Sequence, residues 1–228
     1  VAPSITLYTF PPSQNAVRAE IALREKGLAF TKVPVDLLSG AHREPPLSDL
    51  TPRTQVPTLV YEHRGAPIVV YESIATVRFI DAMHPEPPLM PPPRDPTRLA
   101  AALMRIEEFQ TKLDPKNIFG SVVFAGKGRD ELAPRIEALV KELALWEHYL
   151  ADRMFLAGDQ FTLADIAVFP LLMHFAVLGF PFGERAPNLA GYIDRCQARE
   201  SVVATGWIDT LHAFVTPRIS SKVLADNG

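Results

Sequence analysis

The thirteen residues from His84 to Pro96 hold seven of the chain's 22 prolines, three of them consecutive at Pro91-Pro92-Pro93. No helix or inner strand survives such a stretch, because each proline lacks an N–H donor and restricts the residue before it. The chain therefore folds on either side of it, and the stretch itself reads as a stiff surface linker. With 228 residues, 47% of them hydrophobic, there is material for a substantial core in one domain or two.

The two sides differ in pattern. Before the linker, Ser4 to Leu7 reads as a short strand, Phe10-Pro11-Pro12 as a turn, and Ser13 to Lys26 as a helix on Val17 and Ile21 that stops at Gly27. Phe30 to Val35 is a second strand. Thr58 to Tyr61 and Ile68 to Tyr71 flank His63-Arg64-Gly65-Ala66, a hairpin pattern, and Glu72 to Met83 returns to helical spacing. After the linker every periodic segment is helical: Arg98 to Phe109, with a bend expected at Pro115, then Asp130 to Leu150, Thr162 to Leu178, Leu189 to Ala198 and Val202 to Val215. The expected organisation is a small α/β domain over residues 1–83, the linker 84–96, and an all-α domain over 97–228.

Charge excludes some functions. Twenty-three basic against 26 acidic residues give a net charge of −3, which argues against a protein built around a nucleic-acid backbone. Cys196 is the single cysteine, so neither an intrachain disulfide nor a cysteine zinc cage is available, as suits a reducing compartment. No basic segment followed by an apolar run opens the sequence, so no secretory signal is expected in it. Ile166 to Gly183 lacks Asp, Glu, Lys and Arg over 18 residues, but Pro170, His174, Gly179 and Pro181 interrupt it, and a buried central helix is expected rather than a membrane span.

Several short motifs carry chemistry. Phe161-Thr162-Leu163-Ala164-Asp165-Ile166 has the form of a capping box, with Thr162 at the helix start, Asp165 returning a bond to its N–H, and Phe161 and Ile166 as a hydrophobic staple. Their role is structural. Val56-Pro57-Thr58 puts a proline at a strand start, which requires an edge position or an unusual turn. At Glu72-Ser73, Ser73 either caps the next helix or holds a ligand carboxylate there, and Glu72 is placed to meet a ligand ammonium. Ser13 is either a plain N-cap or a hydroxyl that, with the helix N-terminus, stabilises a ligand anion such as a thiolate. His42-Arg43 is a polar loop pair with binding potential, and His174, among Met173 and Phe175, is expected in the core. There is no HExxH, paired CxxC, phosphate-binding glycine loop or GxSxG elbow, and His63, His84, His148 and His212 lack ligand spacing, so no metal site is implied.

In their order and spacing these fragments resemble a cytosolic glutathione transferase of the serine type, nearest to phi, theta or related fungal and bacterial groups. The resemblance runs through Ser13 with Val17-Arg18, Gln55-Val56-Pro57-Thr58-Leu59, Tyr71-Glu72-Ser73-Ile74-Ala75, the Phe161 to Asp165 segment and Pro187-Asn188-Leu189. It implies a thioredoxin-like α/β N-terminal domain that binds glutathione, an all-α C-terminal domain, a cytoplasmic homodimer and no metal. It also implies a cis Pro57 exposing the Val56 backbone to the cysteinyl part of glutathione. Glu72 and Ser73 would hold the γ-glutamyl group, Gln55 would contact the same end, and His42 and Arg43 would meet the glycyl carboxylate. Ser13 would donate to the thiolate, with Asn15 taking over part of a polar contact, because Gln14-Asn15 follows the serine here in place of the frequent Pro-Asn pair. The loop Thr51-Pro52-Arg53-Thr54 also departs from the family's usual Asn-Pro-Phe/Arg-Gly.

The activity implied is attack of the glutathione thiolate on a small hydrophobic electrophile in an apolar cleft, whose expected walls are Phe10, Pro12, Phe109, Asn117, Phe119 and Phe124. The alternatives are a glutathione-dependent peroxidase, ether-cleaving or dehalogenating relative, and a weakly catalytic or non-catalytic protein that binds hydrophobic aromatic compounds. Serine rather than cysteine at position 13 disfavours mixed-disulfide chemistry.

Overall fold

Ile5, Leu7 and Thr9 point inward from the first strand, β1 (Ser4–Thr9), and this alternation fixes which face of the sheet is covered. The computed structural model describes residues 3–63 and 65–225. The chain divides into two compact units, Val1–Leu89 and Met90–Gly228, with the boundary inside the Pro-rich stretch.

In the N-terminal unit, β1 is followed by α1 (Gln14–Glu25), β2 (Thr31–Pro34), a 3₁₀ turn at Ala41–Arg43, the short α2 (Leu47–Leu50), the strands β3 (Thr58–Glu62) and β4 (Ile68–Tyr71), and α3 (Ser73–Met83). The sheet order is β2-β1-β3-β4. β2 runs parallel to β1, β3 antiparallel to β1 and β4 antiparallel to β3, which is the mixed thioredoxin-like sheet. The second strand is shorter than the Phe30 to Val35 pattern suggests, although Val35 N–H still reaches the Thr9 carbonyl at 2.7 Å. Of the expected hairpin turn, Arg64 lies outside the described residues.

α1 stops where Gly27 turns left-handed at φ 62°, with the Leu28 N–H returning to the Leu23 carbonyl at 3.0 Å. The residue before it, Lys26, has a fully enclosed side chain whose ammonium holds Asp81 and the Pro87 carbonyl. Asp81 also accepts the Leu89 N–H at 2.9 Å, and Leu89 is buried. The first half of the Pro-rich stretch, expected as a stiff surface linker, is thus fastened to the N-terminal unit. The buried ammonium is tolerated because it is both paired and hydrogen-bonded.

The C-terminal unit is helical throughout. Asp95 caps α4 (Pro96–Glu108) by accepting the Arg98 N–H at 3.1 Å, with a proline at the first helical position, where its missing N–H costs nothing. The helix then widens into a π turn at Phe109–Leu113 and tightens into a 3₁₀ turn at Asp114–Lys116, which carries the irregularity expected at Pro115. Next come α5 (Phe119–Val123), α6 (Arg129–Tyr149) and α7 (Leu163–Val177).

α7 is the core of this unit: 14 of its 15 residues are buried. A helix apolar all round must be enclosed on every side, here by protein. No helix among the described residues is long and apolar enough to cross a membrane. The remaining helices are α8 (Phe182–Arg185), α9 (Pro187–Gln197), α10 (Glu200–Val203) and α11 (Trp207–Val215).

The last two correct the expectation of one helix from Val202 to Val215. Gly206 sits at φ 62°, left-handed, and the Thr205 hydroxyl accepts the Trp207 N–H at 3.0 Å. Ala-Thr-Gly therefore ends one helix and caps the next.

At the start of α7 the Asp165 carboxylate, with no exposure, accepts the N–H groups of Thr162 (2.7 Å) and Leu156 (2.9 Å) and the Thr162 hydroxyl (2.9 Å). The carboxylate half of the capping box is present, and its hydroxyl partner is engaged by the acid itself. Phe161 packs edge-to-face on Phe155 and under the Arg199 guanidinium. His174 is in the core, its ring stacked on Phe119 at 3.7 Å between centroids.

Candidate active site

Strand register alone brings four loops to one edge of the N-terminal sheet. Tyr8 near the end of β1 pairs with Thr58 at the start of β3, and Thr58 pairs with Tyr71 at the end of β4. The parallel partner β2 ends beside Thr9 at Pro34. Ser13 follows β1, Val56-Pro57 precedes β3, Glu72-Ser73 follows β4, and His42-Arg43 lies on the connection after β2. All therefore depend from the same edge, the open end of the sheet where ligands of α/β folds gather.

Ser13 is the N-cap of α1: its Oγ accepts the Ala16 N–H at 3.2 Å and its carbonyl the Val17 N–H at 3.1 Å. A serine hydroxyl has two acceptor lone pairs and one donor, so the cap uses one acceptor and leaves the O–H without an acceptor among the described residues. The two open readings of Ser13, cap and anion donor, are compatible. A ligand anion here would meet both that O–H and the positive end of a helix of 12 residues.

Pro57 is cis, as the resemblance implies, and the turn before it is held by the Thr58 hydroxyl donating to the Gln55 carbonyl at 2.7 Å. Thr54 (φ 47°) and Glu72 (φ 68°, ψ 118°) both have positive φ without being glycine. Glu72 keeps this backbone because its carbonyl accepts both the N–H (2.8 Å) and the hydroxyl (2.9 Å) of Thr76, a fully buried residue of α3. Non-glycine residues held at such angles collect at binding and catalytic positions.

Arg18 was not singled out as a site residue, yet it joins the two helix starts. Its side chain is buried at 1% exposure, and it donates to Asn15 Oδ1, to Gln14 Oε1 (3.3 Å) and to Ser73 Oγ (3.4 Å). The signal lay in its place among Val17, Ile21 and the alanines of an almost wholly buried helix, where a solvated arginine has no room. Asn15 and Ser73 are thereby brought together. Asn15 is exposed and already engaged by Arg18, and no bond links it to Ser13. Gln55, Arg43 and Glu72 are exposed, and Val56 is buried. His42 is half-buried on the 3₁₀ turn, and its Nδ1, enclosed, has no hydrogen-bond partner among the described residues.

The expected hydrophobic set draws on both units. Phe10 and Pro12 are enclosed in the N-terminal unit. In the helical unit Phe109 and Phe119 are also enclosed, and Asn117 turns its Oδ1 onto the Phe119 N–H at 2.9 Å. Only Phe124, 53% exposed, presents a ring, edge-on to Phe119 and to Phe214, a residue the sequence reading passed over. The four enclosed residues follow the ordinary rule that large apolar side chains on amphipathic segments go inward.

Comparison with known proteins adds to this geometry. Residues 12–83 match the family model described as "Glutathione S-transferase, N-terminal domain", and residues 99–200 the one described as "Glutathione S-transferase, C-terminal domain". The chain is 36% identical over 168 residues to glutathione S-transferase 3 of Zea mays, covering 71% of this chain and 73% of that protein. It is 26% identical over 212 residues to the maleylacetoacetate isomerase maiA of Aspergillus fumigatus, covering 90% and 91%. Among solved structures, glutathione transferase F7 of Populus trichocarpa superposes with a TM-score of 0.77 at 23% identity, over 91% of this chain and 99% of that one, which is a likeness of fold.

Proposed function

The chain belongs to the glutathione S-transferase family, and from that membership we propose that it is a glutathione transferase whose N-terminal sheet edge binds the tripeptide and activates its thiol. One observation carries the reading: the Ser13 hydroxyl completes its cap as an acceptor and still has a proton to donate. In this assignment the O–H of Ser13 and the N-terminus of α1 stabilise the thiolate over the thiol, which lowers the sulfur's pKa. The Val56 backbone beside cis Pro57 pairs with the cysteinyl residue. Glu72 faces the γ-glutamyl ammonium, Ser73 its carboxylate, and Gln55 adds to the same end. His42 and Arg43 meet the glycyl carboxylate, which would give the partnerless Nδ1 of His42 an occupation. Asn15 acts through the Arg18 bridge rather than on the sulfur.

The chemical step then needs little else. The thiol proton leaves to solvent, the sulfur forms a bond to an electrophilic carbon, and a leaving group departs with its electron pair; with an activated double bond, the resulting carbanion takes a proton. The electrophiles proposed are small and hydrophobic, with Phe124 as an accessible aromatic contact, and the protein is proposed to act as a cytoplasmic homodimer. A second reading keeps the thiolate without net transfer, and the isomerase relative that matches nine-tenths of the chain favours it. A product lacking the mass of glutathione would select it.

The test is an ultraviolet thiolate titration of bound glutathione in wild type and Ser13→Ala, with affinity measured in parallel. A bound-thiol pKa at least about one unit below that of free glutathione is expected in wild type, and its loss with affinity retained in the variant. Thiol activation, and hence turnover near neutral pH, should fall about tenfold or more for each unit lost. Tight binding with an unshifted pKa would remove Ser13 from the mechanism and put a ligand-binding role first. No binding at all would overturn the assignment.

A further inference from the structure

We propose that Thr54 is a positioning residue that limits how tightly the sheet edge holds the tripeptide: its strained backbone keeps the loop before Val56 only partly formed until the ligand arrives. The inference rests on the transferase reading, because the residues through which Thr54 acts are Gln55 and Val56. It assigns a role to the loop Thr51-Pro52-Arg53-Thr54, in which threonine stands where the family's usual loop ends in glycine.

The loop hangs between two buried threonines, Thr51 and Thr58. Thr51 ends α2, its N–H on the Leu47 carbonyl at 3.1 Å, and opens a turn over Pro52 and Arg53. Two bonds close that turn: the Thr54 N–H to the Thr51 carbonyl and the Arg53 N–H to Thr51 Oγ1, each at 3.2 Å. Proline at the second position suits it. The chain leaves the turn through Thr54 at φ 47°, in the left-handed region. There a Cβ crowds the following carbonyl, and a β-branched residue is placed worst of all, whereas glycine takes the same angle without strain.

Glu72 carries the same kind of strain but is locked from inside, by the two bonds from fully buried Thr76. Thr54 has no such lock among the described residues. The bonds of its turn are at the long end of the range, and the side chains of Pro52, Arg53 and Gln55 are exposed, so little burial opposes the strain. The next fixed point is the Gln55 carbonyl, which accepts the Thr58 hydroxyl at 2.7 Å. Strain persists only where the surroundings over-determine it, so a relaxed backbone competes with this one in the free protein. The tripeptide meets Gln55 and the Val56 backbone in the strained form only. Its apparent dissociation constant is then the intrinsic one divided by the fraction of loop already formed. Glutathione and its conjugate share the tripeptide, so Thr54 weakens both equally and eases product release without touching the sulfur.

The test is calorimetric titration of glutathione and of S-methylglutathione into the full chain and into Thr54→Gly, Thr54→Asn and Thr54→Val, with thermal melts of each protein without ligand. Thr54→Gly should bind both ligands about three- to tenfold tighter, by the same factor. Its KM for glutathione should fall by that factor, with kcat no higher and the bound-thiol pKa as in wild type. Thr54→Asn, which tolerates the left-handed region and keeps a side chain, should show part of the gain. Thr54→Val keeps the branch and loses the hydroxyl, and should bind no tighter than wild type. A Thr54→Gly protein that melts higher without ligand and binds glutathione as wild type does would place the strain in the fold and overturn the proposal. Weaker binding by both Thr54→Gly and Thr54→Val would overturn it too, by making the threonine side chain a direct ligand contact. A wild type that binds neither ligand removes the transferase reading and this inference with it, whereas normal wild-type binding untouched by Thr54→Gly sinks this inference alone.

Discussion

The start of α7 in the helical unit and the loop edge of the N-terminal sheet both gather polar groups around a helix N-terminus, and they settle them in opposite ways. At α7 the Asp165 carboxylate has no exposure and three donors, all from its own unit. At the sheet edge Gln55, Glu72 and Ser73 are half-exposed or exposed, the Ser13 hydroxyl has no acceptor among the described residues, and Glu72 is held at a positive φ. Saturated polar groups in a dry setting hold a fold together. Unsaturated ones on constrained backbone are kept for something that arrives later.

The sharpest way to break the comparison is at Asp165. Replacing it by Ala leaves the Leu156 and Thr162 N–H groups and the Thr162 hydroxyl without partners in a buried place, an expected loss of about 3–5 kcal/mol in urea unfolding. Asp165 also carries a pH signature. Burial, outweighing its hydrogen bonds, raises its pKa from 3.8 to about 6. Because the folded state holds the proton more tightly, this contribution is fully present below pH 3.8 and is lost as pH rises through about 6. The stability difference between wild type and Asp165→Asn should therefore be larger at pH 4 than at pH 7, by up to about 3 kcal/mol. A difference that does not change over that window would mean the carboxylate is solvated or its bonds dominate its burial.

Arg18 joins both behaviours, since it is as buried as a core residue and yet touches two residues of the edge. Arg18→Met should cost about 2 kcal/mol and weaken glutathione binding several-fold, because Ser73 and Asn15 lose their common partner. Arg18→Lys, with the charge but without the fork, should recover more stability than affinity. Equal recovery of both would make Arg18 a packing residue only.

How much of this could be read from the chain follows the same division. The Pro91-Pro92-Pro93 run, the unbroken apolar course of α7 and the Thr162–Asp165 pair announce themselves because their physics is local: missing donors, periodicity, a cap. Val56-Pro57 and Glu72-Ser73 were recognisable as motifs, but the edge that unites them exists only once Thr58 pairs with both Tyr8 and Tyr71. Nothing local tells Phe109 from Phe124, although one is enclosed and the other half-exposed. The burial of Lys26 and Arg18 was invisible for a related reason, since the partners of Lys26, and Ser73 for Arg18, stand more than 50 positions away in sequence. The break at Gly206 was written in Ala-Thr-Gly and was overridden by an apolar periodicity that runs across it.

The smallest expected effect is the most discriminating. Glu72→Gly removes a Cβ from a residue at φ 68° while leaving its carbonyl to Thr76, so the relief of backbone strain opposes the entropy that glycine adds to the unfolded chain. The net change in unfolding free energy should lie between zero and a gain of about 1 kcal/mol, although a side chain has been lost. Glutathione affinity should move the other way, at least about tenfold weaker, because the carboxylate assigned to the ligand ammonium is gone. The opposite signs matter. A residue kept for the fold loses stability when truncated, as Asp165 must, whereas one kept for a ligand loses affinity at no expense to the fold. If Glu72→Gly destabilises the protein and leaves glutathione binding intact, the left-handed backbone at Glu72 serves the start of α3 and the edge loses its strongest mark as a site.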